Sequence, residues 1–192
     1  MGAGTVDEEA QLMAEFVRTR DRRMFERLFQ AYRRPIVAYA GRYVRDAQLA
    51  EELAQEVFVR VYKTKRYEPD ATFKTWIYRV ATNVCLNELR RPERRRTVRG
   101  LDDKIAGEPA PASARPDVAL EGKRLGARLN AAIEKLPEKQ RAAFLLVRME
   151  GLPHDEVART LETTVPSVKS LVHRALEALR KEAAFAVEGE RG

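Results

Sequence analysis

The side chains with the most chemistry to offer are Trp76, Arg79, Asn83 and Arg90, within the stretch TFKTWIYRVATNVCLNELRRPERRR from Thr72 to Arg96. Their spacings of three, four and seven residues bring them to one side of a helix, which turns about 100° per residue, with Leu86 in the same row. An indole, an amide and two guanidinium groups in line suit a single nucleic-acid strand, because bases stack on rings and phosphates pair with Arg. Stacking contributes roughly 1–3 kcal/mol per base. Pro92 is the expected end of the helix. Around it Arg90, Arg91, Arg94, Arg95, Arg96 and Arg99 form a basic run relieved only by Glu93. The competing reading is a surface amphipathic helix whose Trp closes a core and whose Arg tail is solvated.

Two further constellations stand out. On the outer side of a helix expected over Ala47–Lys63, Gln48, Glu51, Glu52, Gln55 and Glu56 gather with Val59 at one end. This acidic face is either a solvated surface or a docking site, and the partner would then be a basic protein, since acids repel DNA. The second lies in LPHDEVARTLETTVPSVKSLVHRALEALRK, Leu152 to Lys181. A short helix over Pro153–Leu161, a tight connection over Glu162–Thr164 and a longer helix from Pro166, with Thr164 as its cap, form a helix-turn-helix pattern. Ala158 is small where the two helices must cross. The outer face of the second helix carries Ser167, Ser170, His173, Arg174 and Glu177, with Lys169 to one side. Arg174 and the serines suit base edges or phosphates, and Lys169 a phosphate. A small helical bundle with a polar outer face is the alternative.

Catalytic groupings are missing from the sequence. His154 and His173 are isolated, there is no HExxH motif or Gly-rich phosphate loop, and Glu51, Glu52 and Glu56 lack a base partner. Cys85 is the single cysteine, which excludes an internal disulfide and a cysteine-cluster zinc site. Neither an enzyme nor a cofactor is expected.

Holding these faces in place requires a chain of helices. The first is expected over Asp7–Arg20. Asp21 then caps a second over Arg22–Arg33, with Met24, Phe25, Leu28, Phe29 and Tyr32 at helical spacing. Pro35 should break the helix and start a third, to Val44. Asp46 caps Ala47–Lys63, whose inner stripe is Ala50, Leu53, Ala54, Val57 and Val61. Tyr62 to Asp70 form a turn. The Trp76 helix itself buries Phe73, Ile77, Val80, Ala81 and Val84. Beyond it, Thr97–Asp117 has no sustained period and reads as a semi-extended tether. A helix over Val118–Leu136 follows, then one from Pro137 to near Gly151, with Ala142, Ala143, Leu145, Leu146 and Met149 on its apolar side.

The expected fold is therefore all-α, with two small helical domains over residues 1–96 and 118–192. A flexible linker, 97–117, joins them, and the C-terminal domain is a helix-turn-helix. Lys and Arg number 36 against 29 Asp and Glu, a net charge of +7 concentrated in the Arg run. Such a localised excess points to nucleic acid or an anionic surface. Hydrophobic residues, at 44%, are sufficient for packed cores. No window approaches the roughly 18 consecutive apolar residues of a membrane span. The start, MGAGTVDEEA, lacks the basic and apolar regions of a secretion signal. A cytoplasmic protein without membrane insertion is expected.

Three stretches, DAQLAEELAQEVFVRVYK, TFKTWIYRVATNVCLNELRR and LPEKQRAAFLLVRMEGLPHDEVARTLETTVPSVKSLVHRALEAL, resemble bacterial RNA polymerase sigma factors of the sigma-70 family, extracytoplasmic-function group. With the helices from Phe25 to Tyr43 they cover nearly all of the chain outside the linker and termini. The resemblance implies that the first domain is conserved region 2 and the last region 4. Glu51, Glu52, Gln55 and Glu56 would dock on the clamp coiled coil of the largest polymerase subunit, and the second-largest subunit would offer its flap. Tyr67, Phe73, Trp76, Arg79, Asn83 and Arg90, with the loop from Lys65, would hold the non-template strand of the minus-ten element as it melts and capture a flipped base, without ATP. Ser167, Lys169, Ser170, His173 and Arg174 would read the minus-thirty-five element as duplex. An anti-sigma factor is an implied partner, and nucleoid association is implied when the protein is active. The sequence departs from the family pattern at Glu162, where helix-turn-helix proteins often have Gly, and at Leu171, where many members carry Arg. The alternative function is a stand-alone helix-turn-helix regulator, which leaves the acidic helix and the Trp76 row unexplained.

Overall fold

The computed structural model describes residues 7–44, 46–68, 70–91, 126 and 128–188, with side chains through 182. Pro92, the arginines from Arg94 to Arg99, the linker over 97–117 and the start of the helix expected from Val118 lie outside the described residues. The backbone divides into two units, Met1–Arg95 and Arg96–Gly192. Among the described residues there is no strand.

In the first unit, α1 (Glu8–Thr19) starts at Asp7, whose side chain accepts the Ala10 N–H, and carries Glu8 and Glu9 in its first turn, where the helix dipole favours acids. It stops at Arg20 in the left-handed conformation, φ 59°. The Arg20 guanidinium then donates to the carbonyls of Tyr62 (3.1 Å) and Thr64 (2.9 Å), closing the far end of α3.

Helix α2 runs unbroken from Arg22 to Ala40, so the break expected at Pro35 does not occur. Proline inside a helix forfeits a hydrogen bond and costs about 3 kcal/mol. Here Pro35 faces solvent, while Leu28, Tyr32, Ile36 and Tyr39 are buried in one continuous stripe. Burying side chains of that size contributes roughly 1.5–3 kcal/mol apiece, so packing outweighs the local penalty.

Helix α3 (Ala47–Lys63) is capped by Asp46, which accepts from the Gln48 and Leu49 N–H groups. Its expected inner stripe is buried throughout, joined by Leu49 and Phe58. Helix α4 (Phe73–Arg90) is capped by Thr72 and ends two residues before Pro92. It packs on the other three helices of the unit. Tyr39 on α2 is hydrogen-bonded to Thr82 on α4 (2.8 Å) and to Tyr43 (2.9 Å), so the buried hydroxyls satisfy one another.

Among the described residues of the second unit, 128–134 are helical (α5). Buried Arg141 donates to the carbonyls of Glu134 and Leu136 at its end. Helix α6 (Glu138–Phe144) passes directly into a π-helical segment, Leu145–Met149. There the Glu150 N–H reaches back to the Leu145 carbonyl (3.0 Å), five residues away. The wider turn changes the register, and Met149, expected on the apolar side, is 40% exposed. Gly151 takes φ +70° immediately after, a conformation that favours glycine.

Helix α7 (His154–Thr160) and helix α8 (Val165–Glu188) form the helix-turn-helix. Glu162 occupies the left-handed region, φ 50°, despite its side chain. The Glu162 N–H donates to the Arg159 carbonyl (3.3 Å) and the Thr163 N–H to the Ala158 carbonyl (2.9 Å), a Schellman closure of α7. The turn is thus tight, with Glu162 in the backbone geometry that glycine usually supplies. Val157, Val168, Val172 and Ala175 are buried where these helices pack.

Candidate nucleic-acid interface

Thr72 Oγ1 accepts the Thr75 N–H (3.2 Å) and the Thr72 carbonyl accepts the Trp76 N–H (3.0 Å), which fixes the first turn of α4. From that start, residues at three- and four-residue steps emerge along one narrow side of the helix. Trp76 is half-buried, its ring centroid 5.2 Å from Tyr67 in an edge-on contact and 5.7 Å from Phe73. Arg79 is also half-buried, with Nη1 4.0 Å from the Asp70 carboxylate. Asn83 and Arg90 are exposed.

The structure therefore brings Tyr67, Trp76, Arg79, Asn83 and Arg90 to one side, where Asn83 and Arg90 are open while the Tyr67 hydroxyl and Arg79 Nε and Nη2 are enclosed. Leu86, expected in the row, and Phe73, which the resemblance set among the strand-holding residues, are placed otherwise. Phe73 is 0% exposed. It sits beneath Trp76 and Tyr67 and against Tyr32 (5.2 Å), so it is the floor of the ring cluster and not its face. Leu86 is buried as well, because Thr75, Thr82 and Leu86 all turn toward the other helices and narrow the open arc of α4. Asn87 is exposed one turn beyond Asn83 and extends the row; the four-residue spacing was the signal for it. The Tyr67 phenol is held well above its usual range by burial, and then by the Asp7 and Asp70 carboxylates, so it stays protonated as a neutral ring.

On α3, Glu51, Glu52, Gln55 and Glu56 are all exposed on one side. Glu56 accepts from Arg60 Nε at 2.8 Å, and Glu52 from the Gln48 amide at 3.4 Å. Beside Glu51 and Gln55 a shallow cleft between α2 and α3 is floored by Phe29, Val37, Ala54 and Phe58, with Arg33 at its edge. The acidic face thus borders apolar ground, which the pattern of α3 alone could not reveal, since Phe29 and Val37 come from another helix.

On α8, Lys169, Ser170, His173 and Arg174 are exposed. Ser167 is partly withdrawn, its N–H bonded to Thr164 Oγ1 (3.3 Å) and its hydroxyl accepting from the same group (3.1 Å), so it serves the helix cap. His173 Nδ1 lies 3.5 Å from the Glu177 carboxylate, one turn on. Among the described residues no group of His, Cys, Asp and Glu is arranged to hold a metal ion, and no helix is long and apolar enough to cross a membrane.

Residues 28–96 match the Sigma-70 region 2 family and residues 127–179 the Sigma-70 region 4 family. The chain is 32% identical over 180 residues to the RNA polymerase sigma-H factor of Pseudomonas aeruginosa, covering 91% of this chain and 93% of that protein. It is 29% identical over 175 residues to the ECF RNA polymerase sigma-E factor of Escherichia coli K12, covering 88% and 91% respectively. The sigma factor RpoE from Bartonella quintana, solved with the anti-sigma factor NepR, shares the fold, with a TM-score of 0.65 at 18% identity over 83% of this chain and 96% of that one.

Proposed function

Since this chain belongs to the sigma-70 family, as an alternative sigma factor of the extracytoplasmic-function group that directs transcription initiation, we propose that its helix faces divide promoter recognition among themselves. The α4 row of Trp76, Arg79, Asn83 and Arg90, with Tyr67 beside it, holds the non-template strand of the minus-ten element. The acidic side of α3, Glu51, Glu52, Gln55 and Glu56, docks on the clamp coiled coil of the largest polymerase subunit. The exposed face of α8, Lys169, Ser170, His173 and Arg174 with Ser167 at its start, reads the minus-thirty-five element in duplex form, and the second unit meets the flap of the second-largest subunit.

The observation that carries this reading is the half-buried Trp76. Its ring is supported from below by Phe73 and from the side by Tyr67, while part of it remains open beside Arg79. A core tryptophan would be closed over, and a purely solvent-facing one would lack a rigid support. Unstacking a duplex step costs a few kcal/mol. Base stacking at roughly 1–3 kcal/mol per base, with Arg–phosphate pairing, offsets this cost on one strand without a chemical energy source. The protein thus acts by binding and performs no bond chemistry of its own.

The acidic face suits a basic protein surface. Charge complementarity speeds encounter and fixes orientation, and the apolar cleft beside Glu51 and Gln55 offers ground for a partner helix. An anti-sigma partner is supported by the relative solved with one bound. Transcription with purified core RNA polymerase on genomic DNA, with RNA 5′ ends sequenced, tests the proposal. Defined start sites that depend on the added chain are expected. Unchanged start sites would refute it.

A further inference from the structure

One carboxylate serves the starts of two helices. Asp7 Oδ1 accepts the Ala10 N–H at 3.1 Å and caps α1, while its Oδ2 accepts the Phe73 N–H at 2.6 Å, the first backbone donor of α4. Thr72 already provides for Thr75 and Trp76, so Asp7 takes a donor that the α4 cap leaves over. Both helix ends present partial positive charge to the same anion.

The second tie from α1 reaches the same place. Glu9 accepts the Tyr32 hydroxyl, and the Tyr32 ring lies edge-on to Phe73 at 5.2 Å. Phe73 in turn supports Trp76 and Tyr67. The start of α1 is thus wired to the floor of the ring cluster by backbone and by side chain. Both ties come from outside the Sigma-70 region 2 match, which begins at residue 28.

We infer that Asp7 is a positioning residue for strand capture: by holding the Phe73 backbone it fixes the Trp76–Tyr67 ring pair in the orientation that accepts an unpaired base. This rests on the assignment of Trp76 proposed above. Asp7 itself does not touch DNA. Neither a serine nor an asparagine at this position can replace it, because serine caps α1 with a short hydroxyl and does not reach Phe73, and asparagine sets an NH2 donor against one of the two N–H groups that separate oxygens accept.

The test uses the full-length chain assembled with core RNA polymerase. The probe is a single-stranded oligonucleotide carrying the non-template minus-ten sequence of a mapped start site. Affinity for the probe, affinity for core enzyme and thermal unfolding of the free chain are measured for wild type, Asp7→Ser, Asp7→Asn and Trp76→Ala. Both Asp7 variants are expected to bind the probe about tenfold more weakly, the equivalent of one charge-assisted hydrogen bond, with core affinity within about twofold of wild type. A merely structural role would lower probe and core affinity in step as folded protein is lost, and that result would overturn the inference. So would Asp7→Ser with wild-type probe affinity beside a weakened Trp76→Ala. If Trp76→Ala also binds the probe as wild type does, the reading of the α4 row is itself refuted, and the inference with it.

Discussion

Replacing Trp76 with alanine separates the two roles of this ring. In the free protein the indole packs edge-on to Tyr67 at 5.2 Å and against Phe73 at 5.7 Å. Aromatic pairs of this kind contribute about 0.5–1.5 kcal/mol each beyond burial, so the two ring contacts account for roughly 1–3 kcal/mol, to which the burial of half an indole adds about 1–2 kcal/mol. The combined loss does not exceed the roughly 5–15 kcal/mol typical of a folded domain. The further loss falls on the bound strand. One stacked base is worth roughly 1–3 kcal/mol, which converts to about 5- to 150-fold weaker probe binding. Fluorescence anisotropy of a labelled non-template minus-ten oligonucleotide on reconstituted holoenzyme reads this directly, with core affinity measured in parallel. Trp76→Phe, which keeps a ring in the same frame, should recover most of the binding. Less than a twofold change in Trp76→Ala, or an equal fall in core affinity, would show that this ring does not stack on the bound strand.

Three other outcomes are expected. Gln55→Ala combined with Glu56→Ala should weaken core-enzyme binding about tenfold, since one hydrogen bond to a charged group is worth roughly that much. The holoenzyme that does form should bind the probe normally, and the defect should shrink at high salt in a core-binding titration, because exposed charges are screened. Glu162→Gly should stabilise the second unit by about 1 kcal/mol, because Glu162 carries a side chain at φ 50° where glycine is unstrained; an unchanged or lower denaturation midpoint would contradict this. Burial, with a smaller contribution from Glu88, pushes the Cys85 thiol up to about 12. In the unfolded chain that thiol ionises near its ordinary value of about 9, so its contribution to stability is complete below that pH and is lost as pH rises toward about 12. Denaturant midpoints should therefore fall through that window, Cys85→Ala should flatten the decline, and alkylation at neutral pH should proceed no faster than unfolding.

Where residues interact with near neighbours in sequence, the sequence was enough. Asp46 followed by a regular apolar stripe fixes α3, and every residue of that stripe is buried. The same periodicity placed Trp76, Arg79, Asn83 and Arg90 on one side of α4, because a helix converts spacing into direction. What the pattern could not show was decided by contacts between distant residues. Pro35 reads locally as a break, yet the stripe through Tyr32, Ile36 and Tyr39 holds α2 together. Phe73 belongs to both the apolar stripe and the ring cluster, and only its packing on Tyr32 assigns it to the floor. The π-helical segment that turns Met149 outward has no sequence signature. Glu162 hides a turn that glycine would have announced. The Asp7 bond to Phe73 spans 66 residues, and no capping rule connects the two.

In the proposed complex the open edge of Trp76 meets one unpaired strand. Placing the photoreactive residue p-benzoylphenylalanine at position 76 and irradiating promoter complexes before and after melting probes that contact. Crosslinks to the non-template strand within the minus-ten element, appearing only when the complex opens, are expected. Crosslinks to the template strand, or equal crosslinking in closed duplex complexes, would contradict it.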